Sequence, residues 1–325
     1  MVESYAFAKN TNATYEVGTK AFLRFALFYC LLAVMPPSDG VLAAFVVFQA
    51  GTCKYSTIKT YLFGVRSWVL DHGHDFAPFS QRRIVYKTLK GVQRIFGGEV
   101  TRKLAVTPAL LLQMRDFLCL SEFNDVMIWA AMLVAFYGFF RKDNITVGKA
   151  SAFNPRANLT IGDFVVKGGV LWIRVKHSKT IQFQERYHWV PLVAMPGNIL
   201  CPVTAVKAVL KLHGPGSPDR PMFLWRKGGR ASPLTHGVFV AAFKHLVAKC
   251  GLNWSRYSGH SFRRGGATYA FNLGVCPEFI KMLGDWKSDA YLLYDETTFA
   301  RRLELPVAMA NAIRGGRLDN GPRME

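Results

Sequence analysis

The chain has 325 residues, of which 50% are apolar and 14% are aromatic, and this composition excludes a disordered polar protein. Its 41 lysines and arginines outnumber its 21 aspartates and glutamates, so the formal net charge is +20. Residues 1–105 hold 13 basic and 6 acidic side chains, and residues 106–325 hold 28 and 15. Solubility alone requires far less charge, and an excess on both parts of the chain is typical of a protein that encloses a polyanion.

Membrane and secreted classes are disfavoured by the apolar runs and the cysteines. The longest apolar runs, Ala21–Met35 and Val126–Phe140, fall short of the roughly 18 uninterrupted residues of a membrane span and predict core helices instead. The first twenty residues are mixed polar and carry acids, which is not typical of a secretory signal. The six cysteines form no CxxC pair, and most lie in apolar helical patterns. We therefore expect reduced, buried thiols and an intracellular protein.

The first hundred residues are predicted to form a helical domain. Apolar and aromatic residues recur there at helical spacing, separated by residues that end or cap helices, such as Pro36-Pro37 and Ser38-Asp39. The predicted helices are Tyr15–Val34, Gly40–Gln49, Thr57–Gly73 and Gln81–Ile95.

A linker is predicted over Gly97–Pro108, where glycines, charges and a helix-starting proline occur together. Beyond it the pattern predicts helices around a small antiparallel sheet, in which a Lys167-Gly168-Gly169 turn joins the first two strands. The predicted strands are Thr160–Val166, Val170–Lys176 and Tyr187–Val193, and the predicted helices are Pro108–Leu120, Asn124–Phe139, Pro202–Leu212, Gly237–Cys250, His260–Leu273 and Pro277–Leu283. The predicted fold class is therefore α+β and mostly α, with a helical N-terminal domain (1–100) and a mixed domain (108–325).

His260 and Arg263 are the strongest candidates for an anion site. They lie three residues apart at the start of a predicted helix, so both side chains project from one face near the positive end of the helix dipole. A histidine on an amphipathic helix is more often structural, but Arg263 and the adjacent Arg264 shift that balance. In a chain with this net charge, the predicted anion is a DNA phosphate.

Two upstream basic residues are weaker candidates. Arg141 follows the apolar run that ends at Phe140, where a rigid backbone can present its side chain to a site. An ordinary surface arginine at a helix end is the alternative, and for Arg141 alone it is favoured. Lys179 lies between two predicted strands and can act as a mobile proton donor, with Lys176 as a competitor that looks more structural.

Three aromatic residues follow the His260 segment. Trp286 can donate its indole N–H to a phosphate oxygen or buttress a neighbouring group. Tyr291 and Tyr294 lie at helical spacing, so one can be buried while the other is exposed. Core packing is the commoner role for both residue types.

The order of these residues resembles the tyrosine recombinase (phage integrase) family, and more narrowly the recombinases of Crypton and DIRS-like mobile elements. The strings that carry the resemblance are FYGFFRKDNI, VKHSKT, GHSFRRGGAT and LGDWKSDAYLLY. In the first domain, STIKTYLFGVRSW and LKGVQR are similar to the helical core-binding (SAM-like) domain of that family. The resemblance covers roughly residues 21–299.

The resemblance implies site-specific DNA cleavage and rejoining for integration or recombination of a mobile element. It assigns the attack on the phosphate to Tyr294, which forms a 3′-phosphotyrosine link and releases a 5′-hydroxyl. Arg141 and Arg263 are expected to bind the non-bridging oxygens, and Lys179 to protonate the leaving oxygen.

His260 and Trp286 are expected to contact the phosphate or position the tyrosine. No metal or other cofactor is implied, because the two arginines offset the charge and the covalent intermediate conserves the bond energy.

The segment after Leu283 departs from the family pattern. Many members have His or Trp directly after the glycine, whereas here Asp285 occupies that position and Trp286 comes one residue later. The interval of ten residues from Gly284 to Tyr294 matches the family and favours Tyr294 over Tyr291. The role of Trp286 therefore stays open, as does the support of Arg141 by Asp143 or Asn144.

The expected partner is double-stranded DNA, bound by a homo-oligomer (a tetramer), with Phe299–Arg317 packing on a neighbouring protomer. The expected location is the nucleus in a eukaryote and otherwise the cell interior, with no membrane association. Two alternatives stay open: a type IB topoisomerase that relaxes DNA, and a domesticated protein that binds DNA without cutting it. A metal site in Asp71–Asp75 is disfavoured, because the segment lies in a predicted loop without a partner motif.

Overall fold

The chain divides into two compact units, residues 1–101 and 102–325. A computed structural model describes residues 9–31, 35–97, 102–183, 185–295 and 299–314. Of the predicted linker Gly97–Pro108, residues 98–101 lie outside the described residues. The assignment of residues 1–100 to DNA binding and of 108–325 to catalysis stays a prediction.

The first unit is a bundle of four helices, α1 (Lys9–Phe28), α2 (Asp39–Ala50), α3 (Tyr55–Asp71) and α4 (Arg83–Phe96). Its core is built from large apolar side chains that are fully buried, including Phe22, Phe45 and Leu62. The backbones of α1 and α3 approach closely, since a Cβ on Gly64 would lie 2.4 Å from the carbonyl oxygen of Tyr15. The predicted cap of α2 is confirmed, because the Ser38 hydroxyl accepts a hydrogen bond from Val41 N at 3.3 Å.

The centre of the second unit is α6 (Phe123–Tyr137), whose residues 126–136 are all buried. A helix that is apolar on all sides requires partners on all sides. The partners of α6 are the helices Pro202–His213, His236–Lys249 and Ser261–Asn272 and the strand Leu224–Lys227. The other helices of this unit are α5 (Pro108–Arg115), α7 (Lys142–Ile145), α8 (Pro202–His213), α9 (His236–Lys249), α10 (Ser261–Asn272), α11 (Pro277–Leu283) and α12 (Phe299–Arg314).

The predicted antiparallel sheet is present, with strands β1 (Phe164–Lys167), β2 (Val170–Val175) and β3 (His188–Val193) in that order. Its alternate residues enter the core, whereas the opposite face carries half-exposed side chains such as Trp172 and Trp189. The predicted first strand was too long, because Ile161–Asp163 forms a 3₁₀ turn before β1. The fold is α+β and mostly α, as predicted.

A second hairpin, β4 (Leu224–Lys227) and β5 (Arg230–Pro233), was not predicted. The segment LWRKGGRASP lacks both β-branched residues and a clear period of two, so the usual strand signal is missing. The Gly-Gly pair was its one signal, since both glycines have positive φ (54° and 79°), as a two-residue hairpin turn requires.

Two further expectations are corrected or limited by the structure. The helix predicted over Tyr15–Val34 ends at Phe28 as α1, and Cys30 after it has a φ of 51°. All six cysteines are free as expected, but only Cys201 is buried, so the prediction of buried thiols was wrong for the others. Within the described residues, no helix is long and apolar enough to cross a membrane.

Candidate active site

The N-terminal end of α10 and the chain segments around it form a small pocket in the second unit. We call it the arginine pocket, because Arg141 and Arg263 both line it, together with Ser178, Thr180, His188 and Asp285 among others. The set spans more than a hundred positions of the sequence, and the fold brings its members together around α6.

Arg263 is the most buried charge in the site, with 2% of its surface exposed. Its guanidinium donates to the carbonyl oxygens of Phe139 (2.5 Å) and Gly284 (2.8 Å) and stacks on the Trp286 ring at 3.6 Å. No described residue forms a hydrogen bond with its Nε. Burial, followed by the charge of Arg141, lowers the pKa of Arg263 to about 9, so the group stays protonated at neutral pH.

Arg141 reaches the pocket because the chain reverses sharply after α6. Gly138 ends the helix, and Phe139 adopts a φ of 50°. Arg141 then caps α7, where its backbone N–H donates to the Asn144 side chain at 3.0 Å. Asn144 therefore supports the main chain of Arg141 and not its guanidinium, and Asp143 pairs instead with Lys142 and His236.

His260 immediately precedes α10 and lies at the mouth of the site. Its Nε2 is 2.5 Å from the hydroxyl of Tyr294. Loss of solvation, followed by the charges of Arg263, Arg141 and Arg264, lowers the pKa of His260 to about 4. The imidazole is therefore neutral at pH 7, and its Nε2 can accept a hydrogen bond from the tyrosine.

The two tyrosines occupy different environments on the 3₁₀ helix Asp289–Tyr294. Tyr291 is 6% exposed and packs between Phe271 and Trp286, as a core residue does. Tyr294 is only half-buried and directs its hydroxyl toward His260. Its main chain is fixed by Thr268, whose hydroxyl donates to the Tyr294 carbonyl at 2.8 Å. The geometry thus separates one half-buried phenol from one buried phenol, whereas the sequence expectation was one buried and one exposed tyrosine.

Trp286 is a buried platform in this structure. Only 8% of its surface is exposed, and its ring lies between the Arg263 guanidinium and the rings of Phe139 and Tyr294. The ring centroids of Trp286 and Tyr294 are 5.7 Å apart. These contacts are those of a buttress, which is one of the two roles expected for this residue.

Lys179 lies in a two-residue turn between β2 and β3, which Ser178 and Ile181 close by mutual backbone hydrogen bonds. Its side chain is exposed, and both Ser178 and Thr180 line the arginine pocket. Lys176, the competing candidate, is buried, forms an ion pair with Asp163 at 2.5 Å and donates to the Pro155 carbonyl at 2.6 Å. Lys176 is therefore structural, whereas Lys179 is available to a bound ligand.

Sequence reasoning missed the polar residues that surround Asp285. The carboxylate accepts hydrogen bonds from the Thr180 hydroxyl and from Arg186 Nη2, the latter at 2.5 Å. His188, at the start of β3, contacts the Leu283 carbonyl at 2.9 Å through Nε2 and lines the arginine pocket. Neither a period nor a motif marks Thr180, Arg186 or His188 in the sequence, because their roles depend on the approach of α11 to the β2–β3 connection.

A second basic pocket lies beside Tyr294. Arg102, Lys103, His260 and Arg264 line it together with the tyrosine. Among the residues that the structure describes, no group of three or more His, Cys, Asp or Glu side chains is arranged to hold a metal ion.

The fold of this chain is similar to that of several solved DNA-bound enzymes. A XerH site-specific recombinase bound to a palindromic difH substrate in a post-cleavage complex matches with a TM-score of 0.64 and 17% identity, over 93% of this chain and 79% of that one. The Tn1549 transposon integrase with transposon right end DNA matches at 0.61 and 14% identity, over 95% and 94%. A lambda integrase dimer on a COC′ core site matches at 0.60 and 15% identity, over 92% of each chain.

No protein-family model and no curated protein sequence matches the chain. At these identities, the structural similarity establishes the architecture alone. It extends over nearly the whole chain, in agreement with the resemblance drawn from the sequence. The chain has the fold of the tyrosine recombinases and integrases.

Proposed function

We propose that the protein cleaves and rejoins DNA strands through a 3′-phosphotyrosine intermediate, and so recombines or integrates a mobile element. One observation carries the proposal: the Tyr294 hydroxyl lies 2.5 Å from His260 Nε2, next to a pocket lined by Arg141 and Arg263. A nucleophile, a base and two charge-stabilising groups are the parts that phosphoryl transfer needs. The narrower relation to Crypton and DIRS-like elements rests on the sequence strings alone.

In the proposed reaction, the scissile phosphate enters the arginine pocket. The guanidiniums of Arg141 and Arg263 would contact its non-bridging oxygens and offset the negative charge that grows as the phosphorus becomes five-coordinate. Arg263 is held by two carbonyl oxygens and the Trp286 ring before any ligand arrives, so little reorganisation is needed. The phosphate charge would also raise the pKa of Arg263, which burial and the charge of Arg141 now lower.

The bond changes then follow a single displacement. The Tyr294 oxygen attacks phosphorus as its proton passes to His260 Nε2, and the bond from phosphorus to the 5′-oxygen breaks. Lys179 protonates that oxygen, which leaves as a 5′-hydroxyl. Attack by a 5′-hydroxyl from the same or another duplex reverses these steps and restores the phosphodiester and the phenol. The phosphotyrosine conserves the bond energy, so the reaction needs no external energy source.

Two properties of the chain support duplex DNA as the partner. The net charge of +20 is divided over both units, and α4 presents Arg83, Lys87, Lys90 and Arg94 as an exposed stripe opposite its buried Val85, Leu89 and Val92. Spacings of four, three and four residues put these cations on one helix face.

The XerH, Tn1549 and lambda enzymes were all solved on DNA, and the lambda enzyme as a dimer. We propose a homo-oligomer, a tetramer, on two duplexes.

The proposed contact of Phe299–Arg317 with a neighbouring protomer falls on α12, which the structure describes as far as Arg314. Residues 315–317 lie outside the described residues. Exposed apolar side chains on α12, among them Val307 and Ile313, are compatible with such a contact.

The test is covalent trapping on nicked duplex DNA from the ends of the element that carries the gene. A nick close to the cleavage site leaves only a short fragment with the new 5′-hydroxyl, and this fragment diffuses away. The phosphotyrosine adduct therefore accumulates, and it retards the labelled strand on a denaturing gel. Tyr294→Phe is expected to abolish the adduct while DNA binding persists. Tyr291→Phe is the matched control and should form the adduct, because the buried Tyr291 ring does not require its hydroxyl for packing.

The outcomes separate the alternatives. An adduct that persists in Tyr294→Phe would contradict the assignment of the nucleophile. DNA binding without an adduct in the wild-type protein would indicate a protein that binds but does not cut. Relaxation of supercoiled plasmid without exchange between two duplexes would indicate the topoisomerase-like activity.

A further inference from the structure

Asp285 joins two parts of the site that are far apart in the sequence. It follows α11 directly, and its carboxylate accepts hydrogen bonds from Thr180 and Arg186 in the β2–β3 connection. Thr180 is the second residue of the two-residue turn whose first residue is Lys179. The carboxylate therefore holds the connection at two points, the residue directly after the proposed proton donor and a residue further along the same connection.

Hydrogen bonds within the turn also stabilise it. The Thr180 hydroxyl lies 2.9 Å from the Ser178 hydroxyl, and the Ser178 oxygen accepts from the backbone N–H groups of Thr180 and Ile181. Burial by itself would raise the pKa of Asp285, but the hydrogen bonds from Thr180 and Arg186 and the charge of Arg186 lower it. The residue is thus a carboxylate at neutral pH and accepts both bonds.

The backbone of Asp285 indicates that this arrangement has a cost. Its φ is 52°, in the left-handed region that most side chains avoid and that Asp and Asn tolerate better than others. The same turn directs Trp286 back under Arg263, and Gly284 at its start has no space for a Cβ beside the Trp286 ring. One short segment therefore positions both the Trp286 ring beneath Arg263 and the turn that carries Lys179.

We propose that Asp285 is a positioning residue for Lys179, which holds the β2–β3 turn at the edge of the arginine pocket so that the lysine meets the leaving 5′-oxygen. The inference rests on the proposed strand-cleavage function and adds a residue to it. Asp285 contacts no reacting atom. It acts through Thr180 and Arg186, and it accounts for an acidic residue at the edge of a pocket that should attract an anion.

The chemistry of the leaving group distinguishes a role of Asp285 in positioning Lys179 from a role in stability alone. The leaving 5′-oxygen needs a proton, because the pKa of an alcohol is close to that of water, about 15.7. A thiol has a pKa of about 8.5, so a sulfur leaving group departs as the thiolate without a proton. A substrate with sulfur in place of the bridging 5′-oxygen therefore bypasses the general acid. Defects in positioning Lys179 should disappear on this substrate, and defects in binding or in Arg263 should persist.

The experiment measures single-turnover adduct formation on nicked duplexes with a bridging 5′-oxygen or 5′-sulfur. Asp285→Gly removes the carboxylate and keeps the positive φ, so it tests the contact without added backbone strain. We expect its rate on the oxygen substrate to fall by roughly 10²-fold, the low end of what general acid catalysis contributes. Its rate on the sulfur substrate should return to within a few-fold of wild type.

Variants of Thr180, Lys179 and Arg141 serve as comparisons for Asp285→Gly. Thr180→Val, which lacks the hydroxyl at nearly constant shape, should behave like Asp285→Gly, and Thr180→Ser should restore the oxygen-substrate rate. Lys179→Ala should be rescued by sulfur, and Arg141→Ala should be slow on both substrates. Thermal unfolding of each variant checks that the fold is retained.

Each negative outcome has its own meaning. If sulfur rescues Lys179→Ala but not Asp285→Gly, the positioning role is wrong while the proposed function stands. If sulfur does not rescue Lys179→Ala, Lys179 is not the general acid and the proposal loses its basis. If wild-type protein forms no adduct on either substrate, the strand-cleavage function fails as well.

Discussion

At the scale of single residues, the site places two guanidinium groups in one small pocket. Arg263 is buried on main-chain carbonyl oxygens and an indole ring, with Arg141 in the same pocket. The pKa of Arg263 falls to about 9 and that of His260 to about 4, and in both cases burial and neighbouring arginines are the causes. Repulsion between positive charges is typical of a site that binds a polyanion, because an incoming phosphate relieves it.

His260 gives a prediction about stability and pH. Its pKa in the folded protein is about 4 and its ordinary value is 6.5, so between these values the unfolded chain binds more protons than the folded one. The free energy of unfolding therefore rises with pH across this window, and the contribution of His260 is complete above pH 6.5 and lost as the pH falls toward 4. Partial exposure of the ring reduces the size of the effect, so only its direction is predicted.

The measurement is urea unfolding at pH 7.5 and at pH 5. His260→Gln should lose less stability than the wild type on this change, because it has no proton to gain at that position. His245→Gln, which removes an exposed histidine from α9, should follow the wild type. Equal losses in wild type and His260→Gln would contradict the electrostatic account of the site.

At the scale of elements, α10 is positioned by two glycines that permit backbone contact. A Cβ on Gly265 would lie 1.9 Å from the Val106 carbonyl oxygen, and a Cβ on Gly266 would lie 2.1 Å from the Phe136 carbonyl oxygen and 2.6 Å from the Phe139 ring. Because α10 carries Arg263 and follows His260, its distance from α6 sets the geometry of the arginine pocket. The string RRGG thus combines two charges with the two residues that let their helix pack closely.

We expect Gly266→Ala to destabilise the protein by about 1–3 kcal/mol, the usual cost of overpacking. It should also slow adduct formation, since α10 must move away from α6. Gly91→Ala is the control, because a Cβ at that exposed side of α4 meets nothing within 4 Å. There the loss of unfolded-state freedom should raise stability by about 0.4–1 kcal/mol. Chemical unfolding of both variants checks this, and equal effects would mean that close packing of α10 is not required.

At the scale of the whole molecule, the charge of +20 predicts a strongly salt-dependent affinity for DNA. Each phosphate contact contributes about −0.9 to the slope of log K against log salt concentration. The exposed stripe on α4 is expected to supply some of these contacts. The double change Lys87→Gln and Lys90→Gln should therefore reduce the magnitude of the slope by about 1.8, if both lysines contact phosphates.

Binding of labelled duplex between 50 and 200 mM salt measures the slope. Lys20→Gln is the matched control, since Lys20 lies on α1 and already pairs with Glu16 at 2.6 Å. Its slope should stay that of the wild type. A slope unchanged by the double substitution would exclude α4 from the DNA-binding surface.

The sequence alone determined most of the helices, the first sheet and the choice of the candidate residues. Helical spacing and caps are local properties, so α2, α10 and α11 could be predicted within a few residues, and the order of Arg141, Lys179, His260, Arg263 and Tyr294 indicated their chemistry. The β4–β5 hairpin escaped prediction, because its short strands lack the local pattern on which such predictions depend.

Only the tertiary structure decided between residues that share a local pattern. Lys176 and Lys179 look alike in the sequence, and burial against Asp163 makes the first one structural. Tyr291 and Tyr294 share one short helix, and only Tyr294 reaches His260. Asp285 looked like a departure from a motif until its contacts with Thr180 and Arg186 were seen. Burial and pairing depend on which distant segments meet, and one-dimensional spacing does not contain that information.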